Sequence, residues 1–134
     1  MPALEPLTGL RVVADPAALD TARWTPSDAG PTGARIVLRF APDEAFANGA
    51  SGVTLDDREA IVEDERGYVG AWCPFDAIRA QTEWSPPTAR PALAQGSVAG
   101  VPAKIWFPDD DGDVLVVVTA AQAAGLAEKL GWSR

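Results

Sequence analysis

The chain has 134 residues, enough for one domain that buries about two-thirds of its unfolded surface without disulfide or metal staples. It has no histidine and one cysteine, Cys73, which excludes Ser-His-Asp and Cys-His catalysis, histidine metal ligands and an internal disulfide. Eleven bases against nineteen acids give a net charge of −8, which disfavours nucleic acid and anionic membrane surfaces as partners.

The acidity is uneven. Residues 43–65 hold eight acids against one base, Arg58, and residues 109–113 add four Asp. Such runs serve solubility, or steer a basic partner. The N-terminal stretch lacks the basic start and apolar run of a signal peptide, and no window is apolar for long enough to span a membrane. A lone cysteine suits the cytosol, so a cytoplasmic protein is expected.

In chain order, residues 1–33 carry five prolines. They read as an irregular arm, with a short edge strand at Leu10–Ala14 and Trp24 as an anchor. Arg35–Phe40 is a strand with Ile36, Leu38 and Phe40 on one face, ended by Pro42. Asn48–Gly52 is a turn cluster. Val53–Leu55 and Ala60–Glu63 are short strands, Asp64–Gly67 is a tight turn, and Tyr68–Trp72 is a further strand.

Pro74 opens an expected helix that runs to about Trp84, with Phe75, Ile78 and Thr82 at helical spacing, stopped by Pro86 and Pro87. Ala92–Ala99 is a strand turning at Gly100. Val101–Phe107 alternates, with Val101, Ala103, Ile105 and Phe107 inward and Lys104 and Trp106 outward. Asp109–Asp113 is a hairpin turn, and Val114–Val118 is an apolar run of the kind buried on both faces. Thr119 caps a last helix, residues 120–130, with the stripe Ala123, Leu126, Ala127 and Leu130 and a terminal Gly131. The expected architecture is α+β: an antiparallel-rich sheet with helices at 74–84 and 120–130 packed on it. Residues 34–134 form a single domain behind the irregular arm at 1–33.

Few residues suggest chemistry. Asp109, Asp111 and Asp113 have the 1, 3, 5 spacing of a calcium loop, but Gly112 stands at the fourth position and the twelfth residue is Ala120, so the segment reads as a solvated hairpin. Asp56, Asp57, Glu59 and Glu63 could act as acid and base only inside an apolar pocket that separates their pKa values. Cys73 follows Ala71-Trp72, has no base partner and reads as a buried structural thiol. No catalytic residue, metal site or cofactor is therefore expected. Trp106 is the exception among the five tryptophans. An outward Trp beside Lys104 is the composition of an interface hot spot or stacking platform, or it packs under the N-terminal arm. The candidate partner-binding residues are Trp106 and Lys104, with Asp56, Asp57 and Glu59 steering a basic partner.

Short phrases carry a likeness. Ala41-Pro42-Asp43-Glu44-Ala45 after the early strand, Ile61 to Trp72, the segment 74–84, Gly100-Val101-Pro102-Ala103-Lys104-Ile105-Trp106 and the closing strand and helix follow one order. That order resembles the folate-binding family that includes the glycine-cleavage aminomethyltransferase and the γ subunit of heterotetrameric sarcosine oxidase. The likeness covers roughly residues 34–131. The chain is shorter than those proteins, and no catalytic or folate-contacting residue carries over. The resemblance implies an accessory or small-molecule-binding subunit associating with a larger protein, an oxidoreductase or one-carbon-transfer enzyme. Two other readings stand beside it: an acidic toxin-neutralising protein that covers a basic active site, and a small carboxylate-based isomerase or hydrolase.

Overall fold

The computed structural model describes residues 2–26, 36–110 and 112–132. The described residues form nine strands and two α-helices, in two compact units. Residues 7–66 make one unit. Residues 1–6 and 67–134 make the other. Strand β1 (Glu5–Val13) and the long strand β6 (Ile61–Cys73) each run from one unit into the other along the chain.

In the 7–66 unit, β3 (Ile36–Ala41), β4 (Glu44–Asn48) and β1 are hydrogen-bonded side by side, all antiparallel. A second ribbon pairs β2 (Arg23–Pro26) with β5 (Ala50–Thr54). The five-residue helix α1 (Pro16–Asp20) joins β1 to β2 and buries Ala18 and Leu19. Leu10, Val12, Ala14, Leu19, Ala45, Ala47 and Ala50 form the core cluster, with Trp24 packed against it. Gly9 is required where β1 meets β4, because a Cβ there would sit 1.9 Å from the Ala47 carbonyl oxygen.

In the other unit, residues 67–73 of β6 pair with β9 (Val114–Thr119), which pairs with β8 (Val101–Phe107), which pairs with β7 (Ala92–Val98). Ala99 and Gly100, at φ 52° and 78°, make the two-residue turn from β7 to β8. Two successive positive-φ residues give the backbone twist that a tight hairpin needs. Helix α2 (Ala123–Leu130) buries Leu126 and Ala127 in a core with Ile78, Ile105, Phe107, Val116 and Val118. Gly131 ends it in the left-handed region, and the Trp132 amide donates back to the Ala127 carbonyl.

The fold class differs from the expected α+β layer: strands dominate. Segment 74–84 is not a helix. It makes two short 3-10 turns, Phe75–Ala77 and Arg79–Gln81, separated by Ile78 at φ −120°. Ile78 is fully buried and drops into the core between the turns, so the apolar spacing serves one anchor and not a helical face. Residues 120–122 are also a 3-10 turn, which shortens the last helix to 123–130.

The N-terminal arm is regular for most of its described length. Three of its prolines occupy permitted places: Pro6 is exposed near the start of β1, Pro16 opens α1 and Pro26 closes β2. The turn expected at Asp64–Gly67 is absent, because β6 continues straight through those residues. The cluster Asn48–Gly52 contracts to a turn at Gly49, φ 81°, between β4 and β5. Residue 35, given to the early strand, lies outside the described residues.

Candidate functional site

Directly opposed residues of antiparallel strands put their side chains on one face of the sheet. Across β6, β9, β8 and β7 the register places Trp72, Leu115, Trp106 and Leu93 in a single row. The neighbouring row is Gly70, Val117, Lys104 and Gln95. Both rows face away from the core of this unit, whose strand residues are the alternating set Ala71, Val116, Ile105 and their neighbours. Leu115 is buried, Trp106 and Leu93 are half-buried, and Trp72 is 41% exposed. Trp106 therefore stands outward, as alternation along Val101–Phe107 requires. Lys104 shares its face, with the ammonium nitrogen 6.0 Å from the centre of the Tyr68 ring.

Trp72 and Leu93 belong to this row, and the sequence reading left both out. Trp72 is not among the outward residues that the sequence singles out. Its neighbours hold the missed signal: Ala71 and Cys73 are the small apolar residues of β6 that point into the core, so Trp72 between them points out. Leu93 could be placed only from the β7–β8 register.

The acidic candidates lie in the other unit. Asp56 and Glu59 are exposed in the connection between β5 and β6. Asp57 is half-buried and holds that connection together. Its carboxylate accepts the Asp15 amide at 2.8 Å and the Glu59 amide at 2.9 Å. The Asp15 bond, then the Glu59 bond, lowers its pKa, because both stabilise the charged form. Nearby, Arg11 bridges Glu44 at 2.7 Å and Glu63 at 3.2 Å. Ile61 and Val62 at the start of β6 are exposed beside these acids.

A cavity of about 310 Å³ opens in the 67–134 unit beneath the 3-10 turns and the β8–β9 loop. Arg79 lies 5.0 Å from the Phe75 ring centre and is paired with Asp76 at 3.0 Å. Arg90 lies 4.6 Å from the Phe107 ring centre and donates to the Pro87 and Ala89 carbonyls. Asp113 lines the same space. Cys73 is buried, as its apolar setting implied. Burial pushes its thiol up to about 11, with the Asp113 carboxylate adding to the shift. A thiol held in that form is a poor nucleophile.

No protein-family model matches the chain, and no curated protein matches it. Among solved structures, a chain of the heterotetrameric sarcosine oxidase from Corynebacterium sp. U-96, in complex with pyrrole 2-carboxylate, is similar in fold. The TM-score is 0.69 over 97% of this chain and 80% of that chain, at 13% identity. At that identity the likeness shows the fold alone, and at that level it agrees with the resemblance to heterotetrameric sarcosine oxidase. Among the described residues no helix is long and apolar enough to cross a membrane.

Proposed function

We propose that the chain is a non-catalytic accessory subunit or binding module, cytoplasmic, that docks on a larger protein such as an oxidoreductase or one-carbon-transfer enzyme. The docking face is the outward side of β6, β9, β8 and β7, centred on Trp106 with Lys104 beside it and extended by Trp72 and Leu93. One observation carries this reading: two tryptophans, one half-buried and one 41% exposed, flank Leu115 on the side of these strands opposite their unit's core. Aromatic anchors of this kind concentrate binding energy at interfaces. The similar fold in a heterotetrameric enzyme supports a hetero-complex. The net charge of −8 favours a protein partner over nucleic acid, and the exposed Asp56 and Glu59, with Asp57, steer a basic surface toward the chain.

The test uses purified protein products of the adjacent genes, each titrated against the full chain. A partner should bind with sub-micromolar to micromolar affinity. Trp106→Ala should cost about 2 kcal/mol, roughly 30-fold in affinity, chiefly through faster dissociation. Neutralising Asp56, Asp57 and Glu59 together should slow association at low salt and leave dissociation almost unchanged. A partner whose affinity ignores both Trp106→Ala and Trp72→Ala would place the interface elsewhere and end this reading.

A further inference from the structure

The cavity beneath the 3-10 turns contains a charge arrangement that the docking surface does not use. Arg79 and Asp76 neutralise each other. Asp110 is committed to its own loop, where it accepts the Gly112 amide at 2.9 Å. Arg90 and Asp113 remain. Both line the cavity, and among the described residues neither forms an ion pair, with the other or with any third group. Arg90 is held in place on two sides, by the Phe107 ring and by its bonds to the Pro87 and Ala89 carbonyls. Those bonds use one terminal nitrogen, so the edge formed by Nε and the other terminal nitrogen has no acceptor among the described residues. Such an edge matches a carboxylate with two parallel hydrogen bonds.

A simple anion reaching Arg90 would meet Asp113, and a simple cation reaching Asp113 would meet Arg90. A molecule carrying both charges satisfies both. Phe75, Pro86 and Pro108 supply apolar wall, and prolines lose little freedom when a ligand binds. The volume, about 310 Å³, is at the small end of ligand pockets and suits a compact molecule.

We propose that this cavity binds a small zwitterion of amino-acid type, its carboxylate on the Arg90 edge, its ammonium group at Asp113 and its apolar body along Phe75. The site is independent of the docking face and needs no chemistry from the chain.

The experiment is an amide-resolved NMR titration of the full chain with L-alanine, L-leucine and L-phenylalanine, and with phenylacetate and phenethylamine as half-ligands. At least one amino acid should shift amides of residues 74–90 and 108–114, at least about tenfold more tightly than either half-ligand, the difference expected for one added charge-assisted contact. Arg90→Gln should abolish the advantage over phenethylamine, and Asp113→Asn the advantage over phenylacetate. Both residues are exposed, so melting temperatures should stay close to the parent and show that the fold survives. The proposal is overturned if none of the three amino acids binds at about 10 mM, a concentration that would fill most of a site with a Kd of about 1 mM. It is equally overturned if a half-ligand binds as tightly as its amino acid, or if both variants bind like the parent.

Discussion

The two units are built from different materials. The 67–134 unit has a core of large side chains: Phe107, Ile105, Ile78, Leu126 and Val116 are all buried to 1% exposure or less. The cluster of the 7–66 unit is mostly small, with four alanines among its seven buried members. Each buried methylene stabilises by about 0.8 kcal/mol, so the alanine-rich cluster gains less per residue. That unit gets its definition from close backbone approach at Gly9 and from polar ties at its margins. Arg11 bridges Glu44, Arg39 reaches Asp20 at 2.8 Å, and Asp57 spans two amides. Phe46 and Leu38 are fully buried in the 7–66 unit as well, so that unit adds backbone fit to large-residue burial, whereas the other leans on volume. Substitutions should therefore break them by different routes.

The largest effect should follow Val116→Asp. Val116 is fully buried between β6 and β8, and an unpaired carboxylate there should cost about 4 kcal/mol or more. Denaturant unfolding would show this as a lost or strongly lowered transition. Gly9→Ala tests the other unit by adding one methyl group. The new Cβ would meet the Ala47 backbone, which cannot rotate away, so β1 and β4 must separate at a cost of about 2–3 kcal/mol. If Gly9→Ala were neutral, the claim that backbone fit specifies this unit would fail.

A smaller effect is expected at Gly96→Ala. The Trp84 ring nitrogen lies 2.6 Å from where the Cβ would stand, and it donates to the Ser97 carbonyl at 3.0 Å. Trp84 is a side chain and can shift, so the loss should be about 1 kcal/mol, close to the worth of that hydrogen bond. The β7–β8 amides would report it as faster hydrogen exchange.

The same contrast explains what was readable beforehand. In the 67–134 unit, β8 and β9 announce themselves, because large apolar residues alternate in one and run unbroken in the other. The last helix follows from the stripe Ala123, Leu126, Ala127, Leu130 and from Gly131. Segment 74–84 misled because Phe75 and Ile78 fit a helix and a pair of tight turns equally well at that length. In the 7–66 unit, alanine and glycine carry little periodicity, and Pro16 and Pro26 suggest irregularity where they only mark a helix start and a strand end. Asp64 to Gly67 read as a turn because charge and the glycine outweighed the strand on either side. On the proposed docking face, parity along β8 is enough to place Trp106 on the side away from the core. Trp72 and Leu93 needed the cross-strand register, which connects residues far apart in sequence. Arg90 and Asp113 stand 23 positions apart and nothing local joins them.

The last and smallest effect concerns pH, where each unit has its own group. In the 67–134 unit, Cys73 has a thiol raised to about 11 by burial and by Asp113. The folded state keeps that proton after the unfolded state has lost it. The stabilisation is present below the ordinary thiol pKa and is lost as pH rises toward 11, a range in which the protein should become easier to unfold. In the 7–66 unit the sign is opposite. The Asp15 and Glu59 amides lower the Asp57 pKa, so the folded state releases its proton more readily than the unfolded state does. That contribution is present above the ordinary carboxylate range and disappears as pH falls through the folded value. Asp57 is exposed enough for solvent to weaken the effect, so the difference between the parent and Asp57→Asn should be modest at pH 7. It should then shrink steadily below about pH 4, where aspartates in unfolded chains take up their proton. Urea midpoints of both proteins across that range measure it. A gap that stays constant from neutral to strongly acidic pH would mean that the two hydrogen bonds hold the β5–β6 connection regardless of charge. The lowered pKa of Asp57 would then have no part in the stability of its unit.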